Sequence, residues 1–121
     1  MKVEFCLEMI LYDERNNNEC IEIVRLRHIS QMSFVPQIGI EVLIGKGEDE
    51  LSQHEVKDVM WIENDDSLYI ELRNYETEVG ENESYERGLE YFDGMKKRFV
   101  EDDGWKIIEV RSKRQELEKI K

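Results

Sequence analysis

Two histidines and two cysteines are the residues of this 121-residue chain best suited to acid–base, nucleophilic or metal chemistry. His28 ends the segment RLRHIS and His54 lies in LSQHEV, and neither belongs to an H-E-x-x-H or H-x-x-E-H motif. Cys6 and Cys20 form no C-x-x-C pair and therefore carry no zinc signature. Either cysteine could be paired with His28 as nucleophile and base, but cysteines inside strands are usually inert packing residues. We expect a strand-end histidine, a surface histidine and reduced thiols.

Two acidic tetrapeptides, ENDD at 63–66 and EDDG at 101–104, raise the question of calcium. Neither has the alternating oxygen ligands and distal glutamate of an EF-hand loop, and turn or helix-end chemistry explains both. The chain also lacks G-x-S-x-G, P-loop and G-x-G-x-x-G motifs. The sequence predicts no catalytic residue, no metal and no cofactor, and it favours a protein that is not an enzyme.

The length and composition are those of one folded domain. Charged residues make up 38% of the chain, but they alternate with apolar positions at strand and helix spacing, which disordered segments do not do. The sequence has no run of about 18 apolar residues. Its first twelve residues, MKVEFCLEMILY, are interrupted by glutamates and do not resemble a signal peptide. We expect a cytoplasmic protein.

Residues 4–12 and 19–28 alternate like two strands joined by the polar loop DERNNN. Pairing Tyr12 with Glu19 places Leu7 opposite Val24 and makes one face mostly apolar. The same register brings acids and bases together on the other face, Glu4 opposite Arg27 and Glu8 diagonal to Arg25. It also places Cys6 opposite Arg25, on the face away from Cys20, so no disulfide is expected.

A second hairpin is predicted from EVKDVMWIE and LYIELRNYE, which turn at NDDS. Facing Asn64 with Ser67 puts Trp61 against Ile70 and Val59 against Leu72 on one face. The opposite face then carries an Asp58–Arg73 pair and an Ile62–Tyr69 pair.

The rest of the chain supplies further strands and one helix. Residues 29–39 read as a crossing segment, 40–44 as a short strand, 45–53 as a polar loop and 77–83 as a linker. A helix is predicted over 84–101, since apolar side chains fall on one stripe at Tyr85, Leu89, Phe92, Met95 and Phe99. Gly88 lies on this stripe, where it would allow close approach to the sheet, and Gly104 is the expected helix stop. Asn82 or Ser84 is the expected N-cap, and 105–111 is predicted as the last strand.

The fold class is therefore α+β. We expect an antiparallel sheet, two hairpins with additional strands, curled into a small barrel or roll and covered by one helix near the C-terminus. Residues 1–111 form this single domain and residues 112–121 form a frayed or helical tail.

The segment FVPQIGIEVLI, with the pattern P-x-x-G-x-x-V at 36–42, resembles the strand opening of small SH3-like barrels. Together with EVKDVMWIE and LYIELR it is also similar to short bacterial and phage proteins, over about residues 33–73. The resemblance implies a fold and no activity. Pro36 and Gly39 meet the needs of a tight bend into a strand, so we interpret this stretch as the start of a strand rather than an active-site loop.

Charge is distributed unevenly along the chain. Residues 1–40 carry a net charge of −2, residues 41–86 a net −12 and residues 87–121 a net +2, which together give the total of −12. The acids expected in the loops and strand faces of the middle third would form one negative face. Their positions are Glu48, Asp49, Glu50, Glu55, Glu63, Asp65, Asp66, Glu76, Glu78, Glu81 and Glu83.

The acidity could serve solubility alone, or it could provide a docking face for a basic protein partner. Direct nucleic-acid binding and binding to an anionic membrane both need a basic patch and are not expected. The first hypothesis is a non-enzymatic interaction protein, such as an acidic inhibitor or immunity-type protein that occupies a basic groove. The alternative is a barrel-type module that binds a small molecule or peptide in a pocket lined by Trp61, Tyr69 and Tyr91. The oligomeric state is left open.

Overall fold

The computed structural model describes residues 1–47, 50–79 and 85–114. In these ranges the chain forms a mostly β fold with one helix near its C-terminus, in agreement with the predicted α+β class. The strands are β1 (Lys2–Asp13), β2 (Glu19–Gln31), β3 (Glu41–Gly47), β4 (Glu50–Ile62), β5 (Ser67–Leu72), β6 (Tyr75–Val79) and β7 (Lys106–Ser112), and the helix is α1 (Tyr85–Glu101).

The sheet is mixed, and β1 lies at its centre. The strand order is β3-β4-β5-β1-β2-β7, and β6 also pairs with β1. β2 runs antiparallel to β1 along one edge, whereas β5 and β6 follow each other along the other edge, both parallel to β1. The expectation of a wholly antiparallel sheet was therefore wrong. Each hairpin is antiparallel as predicted, but the two hairpins join through the parallel pair of β1 and β5. The residue pairs within a hairpin do not determine the direction in which two hairpins join.

The first hairpin forms with its register offset by two residues from the prediction. Leu7 lies opposite Leu26 rather than Val24. The chain turns through a 3-10 turn at Glu14–Asn16, followed by two asparagines in the left-handed conformation, instead of the longer open loop that was assumed. Because side chains alternate with a period of two, this offset leaves the same residues on the inner face.

The outer face of this hairpin carries the expected ion pairs. Arg27 lies 3.3 Å from Glu4, and Arg25 lies 3.4 Å from Glu8. Cys6 lies opposite Arg27 and not opposite Arg25, because of the two-residue offset. Cys6 and Cys20 are free thiols, as predicted.

The second hairpin has the same two-residue offset. Trp61 lies opposite Leu68 and Val59 opposite Ile70, since the chain reverses through a 3-10 turn at Glu63–Asp65 and a left-handed Asp66. The sequence predicts a two-residue turn, and the longer turn moves the pairs between Asp58 and Ile62 by two positions.

This offset removes the predicted Asp58–Arg73 pair. Asp58 lies opposite Glu71, and an irregularity between Val56 and Asp58 shifts the register further. Arg73 pairs instead with Glu55, at 3.2 Å.

Two segments assigned to loops are strands. β3 and β4 form a long hairpin through residues 41–47 and 50–55, a stretch whose polar and glycine-rich sequence predicted a loop over 45–53. Residues 77–79, assigned to a linker, belong to β6, where Thr77 lies opposite Leu11. Pairing with β1 overrides the weak strand propensity of this acidic segment. The expected N-cap residues, Asn82 and Ser84, lie outside the described residues.

The core lies between the inner face of the sheet and α1. β1 contributes Val3, Phe5, Leu7, Met9 and Leu11, all buried. From α1, Phe92 and Phe99 are buried and Tyr85, Leu89 and Met95 are partly buried, which confirms the predicted stripe. Gly104 ends the helix region with φ +81°, and the next residue, Trp105, is 2% exposed.

An ionic cluster joins the end of the described chain to the sheet and the helix. Arg114 lies 2.7 Å from the carboxylate of Glu22 on β2 and 2.8 Å from Asp93 on α1, with its guanidinium over the ring of Phe92. Glu22 is 4% exposed, and the hydrogen bond to Arg114 lowers the pKa of Asp93. These contacts hold Arg114 against both the sheet and the helix. Residues 115–121 of the expected tail lie outside the described chain.

The sheet curves around Trp105. The Trp105 ring lies 5.7 Å from the ring of His28 on β2 and 5.5 Å from that of His54 on β4. These two strands are separated by β1 and β5, so the sheet bends to bring both to one indole. Among the described strands, no pairing joins β3 to β7, and the sheet is open.

Helix α1 approaches the sheet most closely at Gly88, and this contact gives the first prediction. A methyl group at Gly88 would lie 2.8 Å from Val79 Cγ2 and 3.5 Å from Val79 Cα, so the helix or β6 must move. We expect Gly88→Ala to lower the free energy of unfolding by about 1–3 kcal/mol.

Gly94 is the matched control, because it lies on the same helix with no atom within 4 Å of the added methyl. Gly94→Ala should raise stability by up to about 1 kcal/mol through helix propensity. Urea unfolding of both variants gives the comparison, and stabilisation by both substitutions would contradict the packing at Val79.

Candidate functional site

The acids of the middle third are placed at two ends of the sheet. Glu76 and Glu78, on β6, lie opposite Ile10 and Tyr12 near the end of β1. Glu63 and Asp66 lie in the turn before β5, which pairs with the beginning of β1. β1 has 12 residues, so the two groups are separated by on the order of 35 Å.

The remaining predicted acids are divided between described and undescribed positions. Glu55, half-exposed on β4, is paired with Arg73. The backbone of Glu50 and Asp65 is described but their side chains are not, and four positions lie outside the described residues, namely Glu48, Asp49, Glu81 and Glu83.

At the end formed by β6, a third carboxylate joins the group. Glu14, in the first 3-10 turn, lies next to Glu78, and the hydrogen bond between the two carboxyl groups, with their mutual repulsion, raises the pKa of Glu14. Glu14, Glu76 and Glu78 are all exposed, and we call them the acidic patch. Sequence reasoning missed Glu14, because only the parallel pairing of β6 with β1 brings the first hairpin turn to this strand.

Arg15, the cation next to Glu14 in sequence, is bound to Asp13 and Tyr85. Arg15 donates from its Nε to Asp13 at 3.0 Å, and its guanidinium lies over the ring of Tyr85, 5.0 Å from the ring centre. Asp13 is 6% exposed, so this arginine is held against the body of the protein. The patch is therefore a group of exposed carboxylates, two of which lie close enough together for Glu78 to raise the pKa of Glu14.

The three aromatic residues of the predicted pocket do not meet. Met60 and Tyr69 pair on the outer face of the sheet, so Trp61 points to the opposite face. Tyr91 lies on α1, where its hydroxyl accepts a hydrogen bond from Tyr75 at 3.2 Å. The hairpin offset does not cause this separation, because Trp61 and Tyr69 lie on opposite faces in either register.

His54 was expected on the surface but is 8% exposed. Its ring lies between Phe99 and Trp105, and its Nε2 is 2.6 Å from Ser52 Oγ. Ser52 also donates to the carbonyl of Ile44 at 3.2 Å. Since the hydroxyl has one hydrogen and a carbonyl can only accept, Nε2 is the donor to Ser52. Burial lowers the pKa of His54 to about 4, so the imidazole is neutral at pH 7. Ser52 is thus not activated as a nucleophile.

Neither cysteine forms a catalytic pair with His28. Cys6 lies opposite Arg27, so its side chain is on the other face of the sheet from that of His28. Cys20 lies opposite Tyr12 and His28 opposite Phe5, at different ends of the first hairpin. Burial raises the pKa of Cys20, the opposite of what an activated thiolate requires.

A cleft of about 430 Å³ opens beside the buried histidine. It lies between the β3–β4 hairpin, the junction of β5 and β6, and the last turns of α1. Its apolar floor includes Met95 and Phe99, and Arg73, Asn74 and Arg98 stand at its sides. This volume falls within the range of small-molecule sites. No pattern in the sequence predicts this cleft, because its walls come from four separate elements.

The acidic tetrapeptides form chain reversals. ENDD makes the second 3-10 turn and its left-handed Asp66, and EDDG ends α1. Among the described residues, no group of three or more His, Cys, Asp or Glu side chains is arranged to hold a metal ion. The described helix is neither long nor apolar enough to cross a bilayer.

Comparisons of the chain with models of protein families, with curated proteins and with solved structures returned no match. The resemblance of residues 33–73 to small SH3-like barrels therefore stays a prediction. Within that stretch, Pro36 is buried, the chain bends at Gly39 and β3 begins at Glu41.

The buried histidine predicts a loss of stability in acid. Burial lowers the pKa of His54 from 6.5 to about 4, so the unfolded chain takes up the proton first as the pH falls. This contribution is fully present above about pH 6.5 and disappears towards pH 4, a loss of roughly 2–3 kcal/mol.

The contribution of His54 to the free energy of unfolding is measured by urea unfolding at about pH 7.5 and 4.5. The wild type and His54→Gln are compared for the change between the two pH values. The wild type should lose more free energy of unfolding between the two pH values than the variant. The same loss in both proteins would show that the folded state does not hold the imidazole neutral.

Proposed function

We propose that this chain is a non-enzymatic interaction protein that docks on a basic protein partner through the acidic patch. The observation that carries the proposal is the adjacency of Glu14 and Glu78 at an exposed site, where the first 3-10 turn contacts β6 and the carboxyl group of Glu78 raises the pKa of Glu14. Two carboxylates held side by side repel each other, and a guanidinium or ammonium group of a partner would relieve that repulsion.

The acidic patch is carried by backbone elements that are fixed in place, and this favours recognition of a partner over mere solubility. Glu76 and Glu78 stand on β6, which is paired with the central strand, and Glu14 is in a turn fixed by the bonds of Asp13 to Arg15. Charges on rigid elements are positioned before binding and lose little conformational freedom when the partner arrives. Charges placed only for solubility have no such requirement.

An acidic inhibitor or immunity-type protein is the specific form of this proposal. Its carboxylates would occupy a basic groove of the target, speed association through long-range attraction and exclude the natural ligand by competition. The total charge of −12 supports this steering and disfavours direct contact with nucleic acid or with an anionic membrane. We place the protein in the cytoplasm, and we propose that the curvature around Trp105 makes the sheet a small roll.

The test compares two variants with the same change in net charge at opposite ends of the sheet. Glu14→Gln with Glu78→Gln removes two charges from the acidic patch, and Glu63→Gln with Asp66→Asn removes two from the far turn. Binding of a fluorescent oligo-arginine peptide, measured by anisotropy, should weaken roughly five- to tenfold for the first variant and much less for the second.

Salt dependence and partner capture complete the test. The affinity of the wild type should fall as salt rises, since exposed charges are screened over about 10 Å at 0.1 M. A protein captured from lysate by the wild type and by the far-turn variant, but not by the patch variant, would be the proposed partner. Equal loss of peptide binding in the two variants would contradict the docking patch and leave the acidity as a matter of solubility.

A further inference from the structure

The cleft beside His54 is separate from the acidic patch, and most of its polar groups already have partners. Glu55 is paired with Arg73 at 3.2 Å, and Glu41 accepts a hydrogen bond from the side chain of Gln53. These two acids are therefore neutralised or bonded within the protein.

Arg98 is the exception among the charged groups of the cleft. It is exposed on the last turns of α1, and no described residue forms an ion pair with it. It lies close enough to Tyr75 to act on that hydroxyl electrostatically. A guanidinium that stands beside a cleft and pairs with no acid in the described part of the chain is suited to bind a carboxylate with two parallel hydrogen bonds.

The cleft also offers an apolar surface and a hydrogen-bond acceptor. Met95 and Phe99 come from the same face of α1 as Arg98 and line the cleft. Because His54 donates through Nε2 to Ser52, its Nδ1 carries a lone pair and can accept a hydrogen bond. The amide of Asn74 adds a further polar group at the wall.

We propose that this cleft binds a small carboxylate that carries an apolar body and an N–H donor, the chemistry of a hydrophobic α-amino acid. The carboxylate binds Arg98, the apolar side chain packs on Met95 and Phe99, and the amino group lies towards Asn74 and His54. The C-terminal residue of a peptide offers the same carboxylate and apolar side chain, with an amide in place of the amine. The two sources differ only at that nitrogen.

The probes are L-phenylalanine, L-leucine, N-acetyl-L-phenylalanine and L-phenylalaninamide, titrated into the intact protein by calorimetry. We expect saturable binding of a free amino acid, or of the N-acetyl compound, with a Kd below about 1 mM. The amide, which lacks the carboxylate, should not bind. Binding of the N-acetyl compound alone would identify a peptide C-terminus as the source.

Arg98→Gln should weaken binding at least about tenfold, since it removes the charged partner of the carboxylate. Lys97→Gln is the matched control, because it removes an exposed cation from the neighbouring position, which does not line the cleft. Thermal unfolding of the ligand-free variants checks that both remain folded. The proposal is overturned if none of the carboxylate probes binds, if the amide binds equally well, or if Arg98→Gln and Lys97→Gln have the same effect.

Discussion

The architecture depends on the pairing of β1 along both of its edges. β2 takes one edge over nearly the whole strand, and β5 and β6 divide the other between them. The inner face of β1 contributes five buried apolar side chains beneath α1. A strand in this position must satisfy all its backbone hydrogen bonds within the protein, so its partners are fixed in register and direction. β1 therefore determines where α1 packs. It also determines where the acids at the two ends of the sheet lie.

The parallel arrangement follows from how the other edge of β1 is filled. A single long strand after the second hairpin would have paired with β1 continuously, but the chain breaks at Arg73 and Asn74, where the backbone of Arg73 bonds to Glu55 on β4. β5 therefore remains paired with β4, and β6 forms a second, separate parallel pair with β1. That break creates two features at once: the wall of the cleft at Arg73, Asn74 and Tyr75, and the placement of Glu78 beside the first hairpin turn.

The predictions from sequence succeeded where periodicity determines the result and failed where a contact crosses between elements. Alternation placed the inner faces of both hairpins correctly, because an offset of two residues does not change the face, and the helical stripe predicted α1 to within one residue of its start. The offset of the second hairpin arose in its turn, whereas that of the first arose partly in the turn and partly at an irregularity between Leu11 and Tyr12. Asn17, Asn18 and Asp66 adopt positive φ, and their side chains favour several turn types equally, so the turn length could not be read from the residues.

The acidic residues of β6 have low strand propensity, and only pairing with β1 makes them a strand. His54 has polar neighbours in sequence, although Phe99 and Trp105 bury it.

The two candidate sites differ in what holds their residues in place: backbone pairing for the acidic patch and side-chain packing for the cleft. The acidic patch consists of exposed carboxylates carried by β6 and by a turn, so its specificity depends on backbone placement and its strength on charge. The cleft depends on side-chain packing: Phe99 is held between His54 and Tyr75, and that aromatic contact sets the floor beneath Arg98. β6 contributes to both, with Tyr75 at its beginning and Glu78 near its end. Five residues of one short parallel strand therefore determine how far apart the two sites lie, and the close contact of Val79 with Gly88 on α1 holds that strand against the helix.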